Sequence, residues 1–198
     1  ALCALVTHFV EDSLPQIRVQ DPTAVLQHLA RTYRNNWPAS RTVIAITGSV
    51  GKTSTKEFSA QVCSCIGITH KTKGNQNNLL GLCLTLLNTP SNCEYAVIEL
   101  GINQPYEMAT LADIVKPDIA VITQIAACHL EKLRSIQGVA DQKSMLFRSL
   151  SPKGTAIIPS DAPCLSQLED ASSHCQQLYF SSTNQKKTDM HVDDIVLD

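Results

Sequence analysis

Glycine, lysine and threonine meet in one segment, TGSVGKTST at residues 47–55, set between an apolar β-prone run, TVIAIT, and a helical pattern. Gly48 and Gly51 allow a tight turn in which the amide N–H groups around Ser49 and Val50, with the helix N-terminus behind them, face phosphate oxygens. Lys52 then sets a point charge against the outer phosphates. The Thr53 hydroxyl stands where it can ligate magnesium, and Ser54 completes the loop. The first glycine of the longer standard phosphate loop would fall at Ile46, so the loop here begins at Gly48. A glycine-rich turn with an incidental lysine is the plain alternative. The strand, loop and helix in series favour binding of ATP or GTP, a device shared by many unrelated enzymes.

Other residues stand where chemistry can use them. Glu99 ends the apolar run YAVIEL, where a carboxylate projects from the carboxyl edge of a parallel sheet and can take a metal; a solvated strand-end acid is the alternative. His129 follows the run DIAVIT, and a lone histidine is more often structural. Asn75, Asn77 and Asn78, in GNQNN, carry amides suited to a peptide or sugar nucleotide, although such loops also cap turns. Asn103 and Glu107 are weaker candidates of the same kind. By residue type alone, Lys143 is an ordinary lysine on a helix.

The TGxxGKT form resembles the Mur ligase superfamily, which includes folylpolyglutamate synthetase. GNQNN followed by Gly81 is similar to the GNxNN segment of the branch that adds D-alanyl-D-alanine, and YAVIELGINQPYEM resembles its VIELG segment with the following Asn and Glu. ITQIAACHLEKLRSIQGVADQKSMLF resembles the family's His-Leu-Glu followed some fourteen residues later by a modified lysine. The match runs from about residue 10 to the end.

The resemblance implies an ATP-dependent amide ligase. A substrate carboxylate attacks the γ-phosphate, and the incoming amine converts the acyl phosphate to an amide. The implied substrates are UDP-N-acetylmuramoyl-tripeptide and D-alanyl-D-alanine, in peptidoglycan precursor synthesis in the cytoplasm. By the same resemblance Lys52, His129 and Lys143 are catalytic. Thr53, Glu99, His129 and Lys143 hold Mg2+, and Asn75, Asn77, Asn78, Asn103 and Glu107 meet substrate. Lys143 matches the position that carbon dioxide carbamylates; this needs a neutral amine and so a depressed pKa. The family chain has three domains, of which residues 1–20 would be the tail of the UDP-sugar-binding one and 21–198 the ATP-binding central one, incomplete at its end; the full-length enzyme would be a monomer. Three positions depart from the family pattern: Gln124 replaces an Asn, Arg134 a Gly, and Met145 an acid two residues after the lysine. Another ligase of the superfamily and a non-catalytic ATP-binding module remain the alternative readings.

The elements that must position these residues alternate. TVIAIT, CEYAVIEL, DIAVIT and TAIIP read as strands, and helical patterns run through Phe58, Val62 and Ile66, from Glu107 to Val115 and over 135–150. Asp21 and Pro22 open a further helix that ends near Asn35. Such alternation specifies an α/β fold, a mainly parallel sheet with helices on both faces. The β-prone stretch in residues 1–20 has no evident partner, and HVDDIVLD reads as a last strand after an exposed connection. With 198 residues, 43% hydrophobic, 17% charged and a net charge of -2, the chain reads as an ordinary globular protein. It shows no basic excess for nucleic acid. No apolar run approaches the roughly 20 residues that span a bilayer. The eight cysteines are dispersed, without paired CxxC units, and read as reduced.

Overall fold

The computed structural model describes residues 3–128, 130–181 and 188–191. Strands β1 (Ala4–Val6) and β2 (Gln16–Arg18) form a small parallel sheet of their own, so the opening stretch finds its partner within itself. Helix α1 (Pro22–Asn35) starts where the sequence requires: the Asp21 carboxylate accepts from the N–H groups of Thr23 and Ala24, and Pro22 occupies the first turn.

The main sheet is built from β3 (Thr42–Thr47), α2 (Lys52–Ser64), β4 (Thr69–Lys71), α3 (Leu79–Leu87), β5 (Tyr95–Glu99), α4 (Glu107–Val115), β6 (Ile119–Ile122), α5 (Leu130–Leu133), α6 (Ile136–Arg148), β7 (Thr155–Pro159), α7 (Leu165–Ala171), β8 (Gln176–Ser181) and β9 (Met190–His191). The spatial order is β4-β5-β3-β6-β7-β8-β9, and every pairing is parallel. The order reverses on either side of β3, and ligands in open parallel sheets bind outside the carboxyl ends at such a switch. Most of HVDDIVLD lies outside the described residues; His191 is its first residue.

The two faces are unequally covered. Alternate strand residues Val43, Ala45, Ala96, Ile98, Ala120, Ile122, Ala156 and Ile158 share one core with α3, α4, α6 and α7. On the other face Ile46, Val97 and Val121 form a smaller cluster with Ala60 and Cys63 of α2. The apolar spacing through Phe58, Val62 and Ile66 marks the outer side of this region, where all three are largely exposed. Lys56, Ala60 and Cys63 form the inward stripe instead, and their small residues let α2 sit close to the sheet. α1 is the outer layer on the fuller face: Arg34 donates to the carbonyls of Val115 (2.7 Å) and Lys116 (2.6 Å) at the end of α4. The eight cysteines stand as free thiols, four of them buried.

Arg134 ends α5 in the left-handed region, with φ 68°, and its N–H donates to Leu130 O at 2.8 Å. A glycine takes this helix-terminating conformation without a Cβ penalty, which explains why the family pattern has one there. Arg134→Gly is expected to raise stability by about 0.5–1 kcal/mol, the left-handed penalty less the extra chain entropy of glycine. A denaturant midpoint that falls in the variant would refute this strain.

Candidate active site

The phosphate-loop segment bridges β3 and α2. Gly51 caps α2 in the left-handed region, φ 80°, and Gly48 has φ 155°. A Cβ on Gly48 would lie 1.9 Å from Thr123 Oγ1, so the close approach of the next strand requires glycine. That strand's continuation clamps the loop. Thr123 Oγ1 donates to Val50 O (2.6 Å) and Ser49 N–H to Gln124 O (2.9 Å). The Ser49 hydroxyl bridges both Ala126 backbone groups (2.9 and 3.0 Å). Sequence reasoning does not single out Thr123, which is there merely the polar end of DIAVIT. Because the Gln124 contact is made by backbone, the change from Asn leaves that bond intact.

Two ammonium groups converge on one carbonyl. Lys52 Nζ donates to Gly48 O at 2.8 Å and to Ser49 O at 3.3 Å, and Lys143 Nζ, from α6, donates to Gly48 O at 3.0 Å. Lys143 is only 2% exposed. Burial lowers its pKa to about 8; the neighbouring Cys128 opposes the fall and Lys52 adds to it. Met145 packs partly buried against the main core, so its departure from the family's acid places an apolar side chain among apolar neighbours.

On the other flank, Glu99 is 1% exposed at the end of β5. Its Oε1 accepts from Thr53 Oγ1 (3.1 Å) and from Asn77 Nδ2 (2.8 Å), while the buried Oε2 has no hydrogen bond. With its proton directed at Glu99, the Thr53 hydroxyl keeps its lone pairs for another electrophile. Among the described residues no three His, Cys, Asp or Glu side chains converge. A hydroxyl, one carboxylate and phosphate oxygens fit a magnesium ion, which commonly takes one or two carboxylates and completes its octahedron with substrate phosphates and water. The orphaned Oε2 is the atom that such an ion would satisfy.

The remaining candidates separate. Asn77 is locked in place: its carbonyl accepts from Gly101 N–H at 2.8 Å, and a Cβ on Gly101 would meet its side chain at 2.7 Å. Asn78 caps α3 by accepting from Gly81 N–H at 2.9 Å, the turn-capping alternative, and Asn75 is exposed. Glu107 accepts from the N–H groups of Asn103 (2.8 Å) and Gln104 (3.2 Å) and so orders its own helix start. His129 lies outside the described residues. Beside the loop a cavity of about 570 Å³ runs over the ends of β6, β7 and β8, lined by Val50, Thr55, Val121, Ile157 and Phe180 among others.

The Lys143 pKa has a stability consequence with a definite sign. Between about pH 8 and 10.5 the folded chain binds fewer protons at this amine than the unfolded chain, so stability rises with pH across that window. Below it the full penalty applies, about 3 kcal/mol. Lys143→Met should therefore melt higher at neutral pH in CO2-free buffer, with the advantage shrinking as the pH approaches 10.5. Equal melting at neutral pH would contradict the burial penalty.

The Mur ligase middle domain model matches residues 46–198. The chain is 41% identical over 157 residues to the UDP-N-acetylmuramoyl-tripeptide--D-alanyl-D-alanine ligase of Escherichia coli (strain K12), covering 79% of this chain and 34% of that protein. For the enzyme of the same name from Bacillus subtilis (strain 168) the identity is 40% over 149 residues, 75% of this chain and 32% of the relative. The chain thus spans about a third of the length of these curated relatives. A crystal structure of MurF from Acinetobacter baumannii superposes with a TM-score of 0.86 at 32% identity, over 96% of this chain and 41% of that one. MurF ligase from Thermotoga maritima, solved in complex with ADP, gives 0.80 at 28% identity over 92% and 42%. The loop that opens at Gly48, the parallel sheet that carries it and the match over residues 46–198 agree: this chain belongs to the Mur ligase family, whose middle domain it carries.

Proposed function

We propose that this chain is the ATP-binding part of a ligase that joins D-alanyl-D-alanine to UDP-N-acetylmuramoyl-tripeptide in cytoplasmic peptidoglycan precursor synthesis. The observation that carries the reading is the Glu99 carboxylate, buried at the mouth of a phosphate loop with one oxygen held by Thr53 and Asn77 and the other without a hydrogen bond. The named relatives, at 41% and 40% identity, supply the amine and the acceptor. Residues 1–20 then belong to the end of a preceding domain and 21–198 to the central one, and the full-length enzyme acts as a monomer. Among the described residues no helix is long and apolar enough to cross a membrane, which accords with soluble substrates.

In this reading the loop N–H groups other than that of Ser49, which Gln124 O accepts, and the α2 N-terminus take the β- and γ-phosphates, and the nucleoside extends into the cavity over β6, β7 and β8. Thr53, Glu99, His129 and a carbamylated Lys143 would hold Mg2+, which would supply neutralising charge for the phosphate oxygens. The acceptor carboxylate attacks the γ-phosphorus as ADP leaves. Lys52 holds the charge that builds on the transferring group, where oxyanions would otherwise repel. The amine of D-alanyl-D-alanine then displaces phosphate from the acyl phosphate. Asn75, Asn77, Asn78, Asn103 and Glu107 are placed on the acceptor side by family resemblance. Local bonds already engage Asn77, Asn78 and Glu107.

Phosphate release by the full-length protein with ATP, Mg2+ and the UDP-tripeptide is expected to depend on D-alanyl-D-alanine. Release driven instead by a single amino acid would point to a sister ligase, and none at all to a binding module. The carbamate has its own test. A 13C carbamate resonance is expected with 13C-bicarbonate in the wild type and not in Lys143→Ala. Its intensity should fall as the pH drops below about 8, because the protonated amine cannot react. A resonance that persists in Lys143→Ala would place the modification elsewhere.

A further inference from the structure

Lys56 has no part in the ligation mechanism, yet it is one of the most completely buried side chains in the protein, 0% exposed. It lies on the inward stripe of α2, one turn beyond Lys52. Its Nζ donates to Gly74 O at 2.9 Å and pairs with Glu57 Oε1 at 2.9 Å, and it stands 3.8 Å from Glu99 Oε2. A buried ammonium is tolerated only with this kind of compensation. Its closest carboxylate, Glu57, is shared with Lys71 at the rim. At 3.8 Å from Oε2, Lys56 attracts the Glu99 carboxylate without occupying that oxygen's lone pairs.

Gly74 opens the GNQNN loop with φ 55°, and three residues later Asn77 donates to Glu99 Oε1 at 2.8 Å. The loop is therefore attached to the same carboxylate twice, through Lys56 at its start and through Asn77 near its end. Thr72, just before it, holds the Glu99 backbone N–H with its hydroxyl at 3.0 Å. Residue type alone offers no hint of this, because Lys56 reads as one more polar residue on a helix.

We propose that Lys56 is a positioning residue that ties the 74–78 loop to the Glu99 carboxylate, so that one buried cation sets both the loop presented to the acceptor and the oxygen presented to the metal. This rests on the ligase reading for the acceptor and on the Glu99 cation site for the metal. Its two consequences separate by variant. Lys56→Met removes the charge and the donor, whereas Lys56→Gln keeps a donor for Gly74 O but removes the charge.

The test uses the full-length protein loaded with ADP, with Mn2+ binding followed by electron paramagnetic resonance of the free ion. Lys56→Met is expected to weaken Mn2+ binding about tenfold or more, the usual effect of losing a group that orients a metal ligand. Metal-free ADP affinity should stay within about twofold, because the phosphate loop keeps its own clamp. In the ligation assay Lys56→Met should also raise the KM for the UDP-tripeptide. Lys56→Gln should restore that KM but not the Mn2+ affinity, and Lys56→Arg should restore part of the latter. Lys56→Met combined with Glu99→Gln should bind Mn2+ no more weakly than Glu99→Gln alone, since both act through one carboxylate. Unchanged Mn2+ affinity in a folded Lys56→Met, losses that add in the double variant, or indifference to Glu99→Gln would each overturn the inference. If Lys56→Met does not fold, Lys56→Gln carries the Mn2+ comparison and the cycle with Glu99→Gln. A wild type that binds Mn2+ as expected but does not ligate would overturn the ligase reading and leave the metal half of this inference to be decided by the cycle.

Discussion

The clamp between the Gly48–Gly51 turn and the backbone of residues 123–126 is the constraint on which the rest of the site depends. It is possible because β3 and β6 are adjacent and parallel, so both chains leave the sheet at the same edge and level. The glycine at 48 permits the approach, Thr123 closes it on Val50, and Ser49 crosses to Ala126. Once the turn is fixed, α2 must start at Lys52 and run back along the sheet. That choice sets which helix residues face inward and brings Lys52, Thr53 and Lys56 to their separate stations.

Charge is divided about this turn. Lys52 and Lys143 share the Gly48 carbonyl on one flank, and Glu99, held by Thr53, Asn77 and Lys56, occupies the other. In the proposed reading, a phosphate chain laid along the turn would meet Lys52 on the first flank and, through a divalent ion, the carboxylate on the second. In a parallel sheet this division comes from topology: β5 and β6 flank β3 on opposite sides, so the segment that leaves each strand arrives on its own side of the loop.

Much of this was legible in the sequence. The short apolar runs marked β3, β5, β6 and β7, and Glu107 to Val115 read as a helix with the bounds α4 has. The glycines, Lys52 and Thr53 declared the phosphate loop because each residue type there has a physical duty. The features that stayed hidden have a physical explanation as well. β4 and β8 are THK and QQLYFS, strands that carry polar residues and lack a continuous apolar run. The Phe58, Val62 and Ile66 spacing is genuinely helical, but periodicity does not say which side a neighbouring constraint turns inward. Thr123 acts through a hydroxyl whose partner, Val50 O, only the fold supplies, and Asn78 serves its own helix, a role that composition cannot separate from ligand contact.

The site is a set of individually unfavourable placements that share one remedy. Lys143 is held where burial depresses its pKa, Glu99 keeps a buried oxygen without a hydrogen bond, and Thr47 Oγ1, just before the turn, is orphaned as well. None of these stabilises the fold, and the packed core on the fuller face must offset them. In the proposed reading, a polyanion with a divalent cation would give Lys52 a counter-charge and Oε2 a ligand, and carbamylation would remove the buried Lys143 cation. Replacing Lys143 by an apolar residue would ease the fold but leave the others without that remedy. Their joint presence therefore supports the proposed phosphate and metal site more strongly than the loop motif does, because a glycine-rich turn can form at little expense whereas buried charge persists only where something compensates it.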